Sequence, residues 1–149
     1  MITETSIEID APAATVWDVY TEVEAWPSWT DSVTEVTGLD GPALEVGRRF
    51  AISQPKFPRL VWAVTSVEPG QGWSWRQRSP GGTTVAHHRI EPIGAVRARV
   101  TQGVDQRGPI GLVVAVLVRR LTRRYLAMES VGLKGAAEDR HRRARAETS

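Results

Sequence analysis

The spacing of the apolar residues changes twice along this chain, and those changes restrict the fold more than any single motif. Thr3 to Asp10 alternates, with Ile7 and Ile9 on one side and Ser6, Glu8 and Asp10 on the other. That is the pattern of a half-buried strand. Ala11-Pro12 ends it, and Pro12 suits the first turn of a helix. From Pro12 to Val23 the spacing becomes three and four, so Val16, Trp17, Val19, Tyr20 and Val23 form one stripe. Trp26-Pro27-Ser28-Trp29 reads as a second, short helix. From Ser32 the period of two returns. Strands are predicted at Val33–Val36 and near residues 47–54, 59–68, 72–79, 83–91 and 95–104, with Pro/Gly turns between them. After Gly108-Pro109 the spacing returns to 3.6 and holds to roughly Ala144. This predicts one long amphipathic helix of about 30 residues, with Val114, Leu117, Leu121, Met128 and Val131 among its apolar positions. Its last turns, Glu138 to Arg145, lose the stripe and are expected to fray.

Strands joined in sequence by short turns make an antiparallel meander. A sheet with one apolar face must cover that face, and a helix of about 45–50 Å can lie along it. The expected fold is therefore α+β: a curved antiparallel sheet of about seven strands around a long C-terminal helix, with two short helices after the first strand. A bent sheet round a single helix does not fill its interior, so a cavity is expected. The six tryptophans (Trp17, Trp26, Trp29, Trp62, Trp73 and Trp75) bear on that cavity. Each ring buries on the order of 150–250 Å², which suits a core or the walls of an apolar pocket.

With 149 residues the chain is expected to be one domain, residues 1–149, ordered over 1–144. It has no cysteine, which removes thiol nucleophiles, thiolate metal sites and disulfides together. That fits a reducing cytoplasm, the expected location. The N-terminus lacks the pattern of a signal peptide. The longest apolar stretch, Ile110–Val118, is far short of the ~20 residues that span a bilayer, so no stable membrane insertion is expected. The formal charge of +2 hides an asymmetry. Residues 109–149 carry nine Lys/Arg against four Asp/Glu, whereas residues 1–108 carry ten against thirteen. Arg119, Arg120, Arg123 and Arg124 form the densest basic cluster and are expected to be a solvated helix face. Without interleaved aromatics it does not fit a nucleic-acid binder.

Alternation within strands selects the inward residues. Ala86, His88 and Ile90 share one face, so His88 points into the pocket and His87 outward. Trp73 and Trp75 share a face, as do Trp62 and Val64. The expected pocket walls are Trp62, Trp73, Trp75, Leu117 and Leu121, with Met128 on the helix and Trp29 toward the mouth. His88 and Tyr125 are the expected polar contacts and the candidate catalytic pair, since a buried neutral histidine can move a proton near neutral pH. No phosphate loop, nucleophile elbow or paired-carboxylate site is present, and no metal or cofactor is expected.

The run Ile7-Glu8-Ile9-Asp10-Ala11-Pro12-Ala13-Ala14-Thr15-Val16-Trp17-Asp18-Val19 resembles the opening of the START-like, or SRPBCC, superfamily, and more closely its polyketide cyclase/dehydrase-type bacterial branch. Trp26-Pro27-Ser28-Trp29, Gly47-Arg48-Arg49-Phe50, Val67-Glu68-Pro69-Gly70, His88-Arg89-Ile90-Glu91-Pro92 and Arg124-Tyr125-Leu126 extend the resemblance over nearly the whole chain. The resemblance implies a helix-grip fold with a deep apolar pocket, and relatives that bind lipids, sterols, polyketides or other apolar molecules. It does not choose an activity. Three readings follow. The first is a carrier or binder of a small hydrophobic, ring-containing molecule, as monomer or homodimer. The second is a cyclase or dehydratase using the same pocket. The third is an interaction module acting through the basic helix face.

Overall fold

The computed structural model describes residues 1–148. Seven strands form one antiparallel sheet: β1 (Ile2–Ile9), β2 (Glu35–Gly38), β3 (Arg49–Ser53), β4 (Leu60–Glu68), β5 (Gly72–Ser79), β6 (Gly82–Gly94) and β7 (Arg97–Arg107). Their spatial order is β1-β7-β6-β5-β4-β3-β2. Strands β2 to β7 thus follow one another as a meander, and β1 closes onto the last of them. Helix α1 (Ala13–Thr21) follows β1 behind Pro12. Val23–Ser28 is a 3-10 turn that contains Pro27, so the second short helix begins earlier than expected.

The C-terminal segment corrects the expectation of one helix. It is two: α2 (Pro109–Leu117) and α3 (Arg119–Thr148), meeting at a bend at Val118. The bend follows a run dense in β-branched residues (Val113, Val114, Val116, Val118), the class least favourable to helix among the aliphatics. The inward phase nevertheless continues across it: counted in steps of 3.6 from Ala115, the buried residue of α2, it passes through Leu126, Glu129, Leu133 and Ala137. Carried straight through from α2, the predicted stripe assigns Val131 to the core, yet Val131 is 65% exposed. The inward face of α3 instead runs through Tyr125, Leu126, Glu129, Ser130, Leu133 and Ala137. Beyond Glu138 the helix continues without an apolar stripe, held by Arg140 on Glu22 at 2.9 Å and Lys134 on Glu138 at 2.6 Å. Residues 145–148, expected to fray, belong to α3, and the expectation for Ser149 lies outside the described residues.

The sheet alternates as the spacing requires. Inward on β5 are Trp73, Trp75 and Gln77; on β6, Ala86, His88 and Ile90; on β7, Ala98, Val100, Gln102 and Gln106. Outward, His87 meets Glu4 at 2.8 Å. The 3-10 turn lies so close to α3 that a Cβ on Gly132 would sit 2.0 Å from the Trp29 carbonyl oxygen, so a glycine is needed there.

Candidate ligand-binding site

The inner face of the sheet changes character along the strands. Where β1 meets the start of β7, Ile9 pairs with Ala98 and Ile7 with Val100, and Leu133 and Ala137 of α3 belong to the same buried core. Two pairs further on, Thr5 lies opposite Gln102, and Thr3 opposite Val104. Here the sheet and α3 enclose a cavity of about 130 Å³.

One wall is apolar, built by Trp26, Val33, Ile52, Trp62 and Trp75, with Phe57 and Leu60 from the loop and strand beyond β3. The other is polar: Gln77 and Thr84, then His88, Gln102 and Gln106 from β6 and β7, and Glu129 from α3. The cavity is therefore amphipathic, with more polar groups than the few handles expected. Some of these are already engaged. Gln102 donates through Nε2 to the Leu126 carbonyl at 3.0 Å and to Ser130 Oγ at 3.3 Å, and accepts from the Tyr20 hydroxyl. Ser32 Oγ donates to Glu129 Oε1 at 3.4 Å, and Ser32 is hydrogen-bonded to Thr30 at 2.7 Å. Others are free. The Gln106 amide, the Thr84 hydroxyl and His88 Nε2 have no protein partner among the described residues.

His88 is held in an aromatic box. Its ring stacks on Trp73 with centroids 3.9 Å apart, and Tyr20 and Trp75 meet it edge-on at 5.4 and 5.3 Å. Nδ1 donates to the Trp73 carbonyl at 3.2 Å. Burial pushes its pKa down to about 3, so at neutral pH the ring is uncharged and Nε2 is an acceptor. Glu129 goes the opposite way. Burial pushes its carboxyl up to about 7, against the hydrogen bonds from Ser32 and Gln102 that favour the ionised form. Near neutrality the cavity therefore holds a carboxyl poised between its two forms and an imidazole fixed in one. Burial, with the Glu129 charge beside it, also keeps the Tyr20 hydroxyl protonated.

The other predicted residues fall as follows. Trp62, Trp75, His88 and Tyr125 line the cavity. The Tyr125 hydroxyl, however, donates to the Pro55 carbonyl and its ring meets Phe57 at 5.8 Å, so it clasps the β3–β4 loop onto α3. Trp73 stands behind His88 rather than on the wall, and its Nε1 is buried without a partner among the described residues. Trp29 does not approach the mouth: it is half-buried beside Gly132 and packs on Trp26 at 5.7 Å, where it anchors the 3-10 turn. Leu117 is 78% exposed and corrects the expectation of a cavity wall. Leu121 and Met128 are half-buried beside the lining face, not on it. All three miss for one reason: the large apolar residues do not mark the inward face, whose phase is that of the small Ala115 and leads to Thr122, Leu126 and Glu129, with Tyr125 beside them. Glu129 itself was legible, since it lies four residues after Tyr125 and so shares its face.

A family described as "Polyketide cyclase / dehydrase and lipid transport" matches residues 2–138. The chain belongs to this family. No curated protein sequence matches it significantly. Among solved structures, norcoclaurine synthase from Thalictrum flavum, in complex with dopamine and hydroxybenzaldehyde, is similar with a TM-score of 0.74 at 14% identity, over 93% of this chain and 87% of that one. The Zhui aromatase/cyclase from a Streptomyces species has a TM-score of 0.70 at 18% identity, over 94% of each chain. A START superfamily protein from Mycobacterium smegmatis has 0.67 at 19%, over 93% of this chain and 97% of that one. At these identities the likeness establishes the helix-grip fold. No described helix is long and apolar enough to cross a membrane.

Proposed function

We propose that this family member binds a small molecule of about one ring, with one apolar face and one hydrogen-bonding face, between the sheet and α3. The observation that carries the reading is the facing of an aromatic wall, Trp62 and Trp75, by unpartnered polar groups on Gln106, Thr84 and His88. Volume narrows the class. An apolar cavity of roughly 150 Å³ holds benzene, so about 130 Å³ suits one substituted ring and not an acyl chain or a fused polycycle. A solved relative holding dopamine and hydroxybenzaldehyde supports the reading by the scale of those compounds. Apolar burial contributes at about 25 cal/mol per Å² before the costs of association, and the polar wall selects the substituents.

Titration of single-ring phenols and heteroaromatics against the tryptophan fluorescence tests this. Quenching that saturates is expected, and Thr84→Phe, which fills the cavity, should remove it. No saturable quenching by any member, or unchanged quenching in Thr84→Phe, overturns the reading.

A second reading is favoured by one pair of groups. Two titratable side chains driven apart in pKa within one cavity are the usual arrangement for acid–base work. Here Glu129 would give or take the proton and neutral His88 would hold the substrate's donor. This replaces the expected His88–Tyr125 pair, since the Tyr125 hydroxyl is committed to Pro55. Glu129→Gln should then abolish turnover while leaving binding in place. Turnover that survives Glu129→Gln takes the proton transfer away from Glu129, and its absence in both forms leaves the protein a binder.

A further inference from the structure

Helix α2 is built the wrong way round for a soluble protein. Ala115 is its one buried residue, and Gly111 rests against β6 so closely that a Cβ on Gly82 would lie 2.9 Å from the Gly111 Cα. The small side chains thus face the body of the protein, where Ile110 also lies along Gly81, and Leu112, Val113, Val116 and Leu117 face away. Ile110, Val113, Val116 and Leu117 are 55%, 59%, 67% and 78% exposed, and Leu112 and Val114 are exposed as well. Contiguous apolar surface of this kind marks an interaction site.

The charge beside it is equally one-sided. Arg119, Arg120, Arg123 and Arg124 begin α3, all exposed. None has a carboxylate or hydrogen-bond partner among the described residues. No Asp or Glu occurs between Asp105 and Glu129. At the other end of the same helix, Arg140 pairs with Glu22, and Arg142 and Arg143 with Asp139. The four proximal arginines are therefore unneutralised and adjoin an aliphatic helix.

We propose that α2 and the first turns of α3 dock on an anionic lipid bilayer, with the α2 side chains entering the boundary between headgroups and acyl chains and the four arginines on the phosphates. A second copy of the chain is the poorer fit, since self-pairing of α2 would bring two sets of unpaired arginines together. A polyanionic macromolecule would satisfy the arginines but leave the aliphatic side chains in water. A bilayer supplies both chemistries in the required order. At nine residues and 1.5 Å per residue, α2 is roughly 13 Å long, so it lies in the interface and does not span it. Thr122 and Tyr125, which line the cavity, stand in the same first turns of α3. Docking therefore brings this part of the cavity wall close to the membrane.

Because the chain has no cysteine, Leu117→Cys accepts a single environment-sensitive fluorophore, and Glu91→Cys near the far end of β6 serves as control. The probes are vesicles of phosphatidylcholine alone, or with about 30% phosphatidylglycerol. With phosphatidylglycerol the label at 117 should shift to the blue, the label at 91 should not, and the protein should sediment with the vesicles. Phosphatidylcholine alone, or about 0.5 M salt, should weaken binding at least ~10-fold. Arg119→Gln/Arg120→Gln should weaken it at least ~10-fold, and Val113→Glu should remove it. Since these side chains are exposed, both variants keep the fold, as circular dichroism would check. No sedimentation with anionic vesicles, equal shifts at the two labels, or binding indifferent to the arginine substitutions overturns the proposal. So does a stable dimer that Val113→Glu splits without any vesicle binding, which assigns the face to a second copy.

Discussion

The interior of this molecule has a solid end and a hollow end, although the same strands and the same helix build both. At the solid end the inward positions of β1 and β7 are Ile9, Ile7, Ala98 and Val100, and α3 adds Leu133 and Ala137. At the hollow end the equivalent positions are Thr5, Thr3, Gln102 and Val104, with Gln106 beyond, and α3 presents Glu129 and Tyr125. The strands and α3 run continuously from one end to the other, and the side-chain chemistry changes along them. Aliphatic residues interdigitate to the density of a crystal. Amides and carboxyls cannot, because a buried polar group without a partner costs on the order of 1–3 kcal/mol. Such positions must either bond to each other, as Tyr20, Gln102 and Ser130 do, or keep space for something that bonds to them, as Gln106 and Thr84 do.

The largest expected effect lies at the solid end. Leu133→Ala should destabilise the fold by about 2–5 kcal/mol in urea denaturation, since the side chain is fully buried and its neighbours cannot close the void. A loss no larger than that of a substitution in the hollow would break the distinction. Next comes the pH response of the hollow end. Glu129 has a raised folded pKa, so its stabilising share is complete below the unfolded value near 4.5 and is lost as pH rises to about 7. His88 has a lowered one, so its share is complete above 6.5 and is lost as pH falls toward about 3. Between about 4.5 and 6.5 the two slopes oppose each other. Glu129→Gln should therefore gain on the wild type by roughly 3 kcal/mol between pH 4.5 and 7, read from denaturation at each pH. A difference that does not vary with pH would show that the carboxyl is not buried in its charged form.

At the boundary, Tyr20→Phe leaves the Gln102 side-chain oxygen without its donor and should cost about 1–3 kcal/mol. The smallest effect belongs to the free wall. Gln106→Leu removes no protein hydrogen bond, so thermal unfolding should register a change below about 1 kcal/mol. The same substitution should weaken binding of a ring bearing a polar substituent, as seen by fluorescence titration, and leave its unsubstituted parent unaffected.

This division also explains which features could be read in the sequence. A strand's period is fixed at two, so Trp73, Trp75 and Gln77 share a face, and His88 and His87 must diverge. The inward setting of His88 follows from Ile90 alone. On the C-terminal helices the large aliphatic residues lie off the inward face, which is marked in α2 only by the small Ala115. A stripe drawn through the large residues therefore puts Leu117, Leu121 and Met128 on the wall, where the structure does not. The polar lining was hidden by its own chemistry. At Gln102, Gln106 and Glu129 the residue types of a solvated face occupy buried positions, and hydropathy reads them as outside. Only their spacing, two residues from Val100 and four from Tyr125, gives them away.

One contact carries a kinetic consequence. The loop after β3, which supplies Phe57 to the apolar wall, is fastened to α3 by the hydroxyl of Tyr125 on the Pro55 carbonyl. On the proposed reading, a guest leaving past that loop has only that bond and the Phe57–Tyr125 ring contact to part, not a cooperative unit. How long it dwells is thus set apart from how tightly it is held.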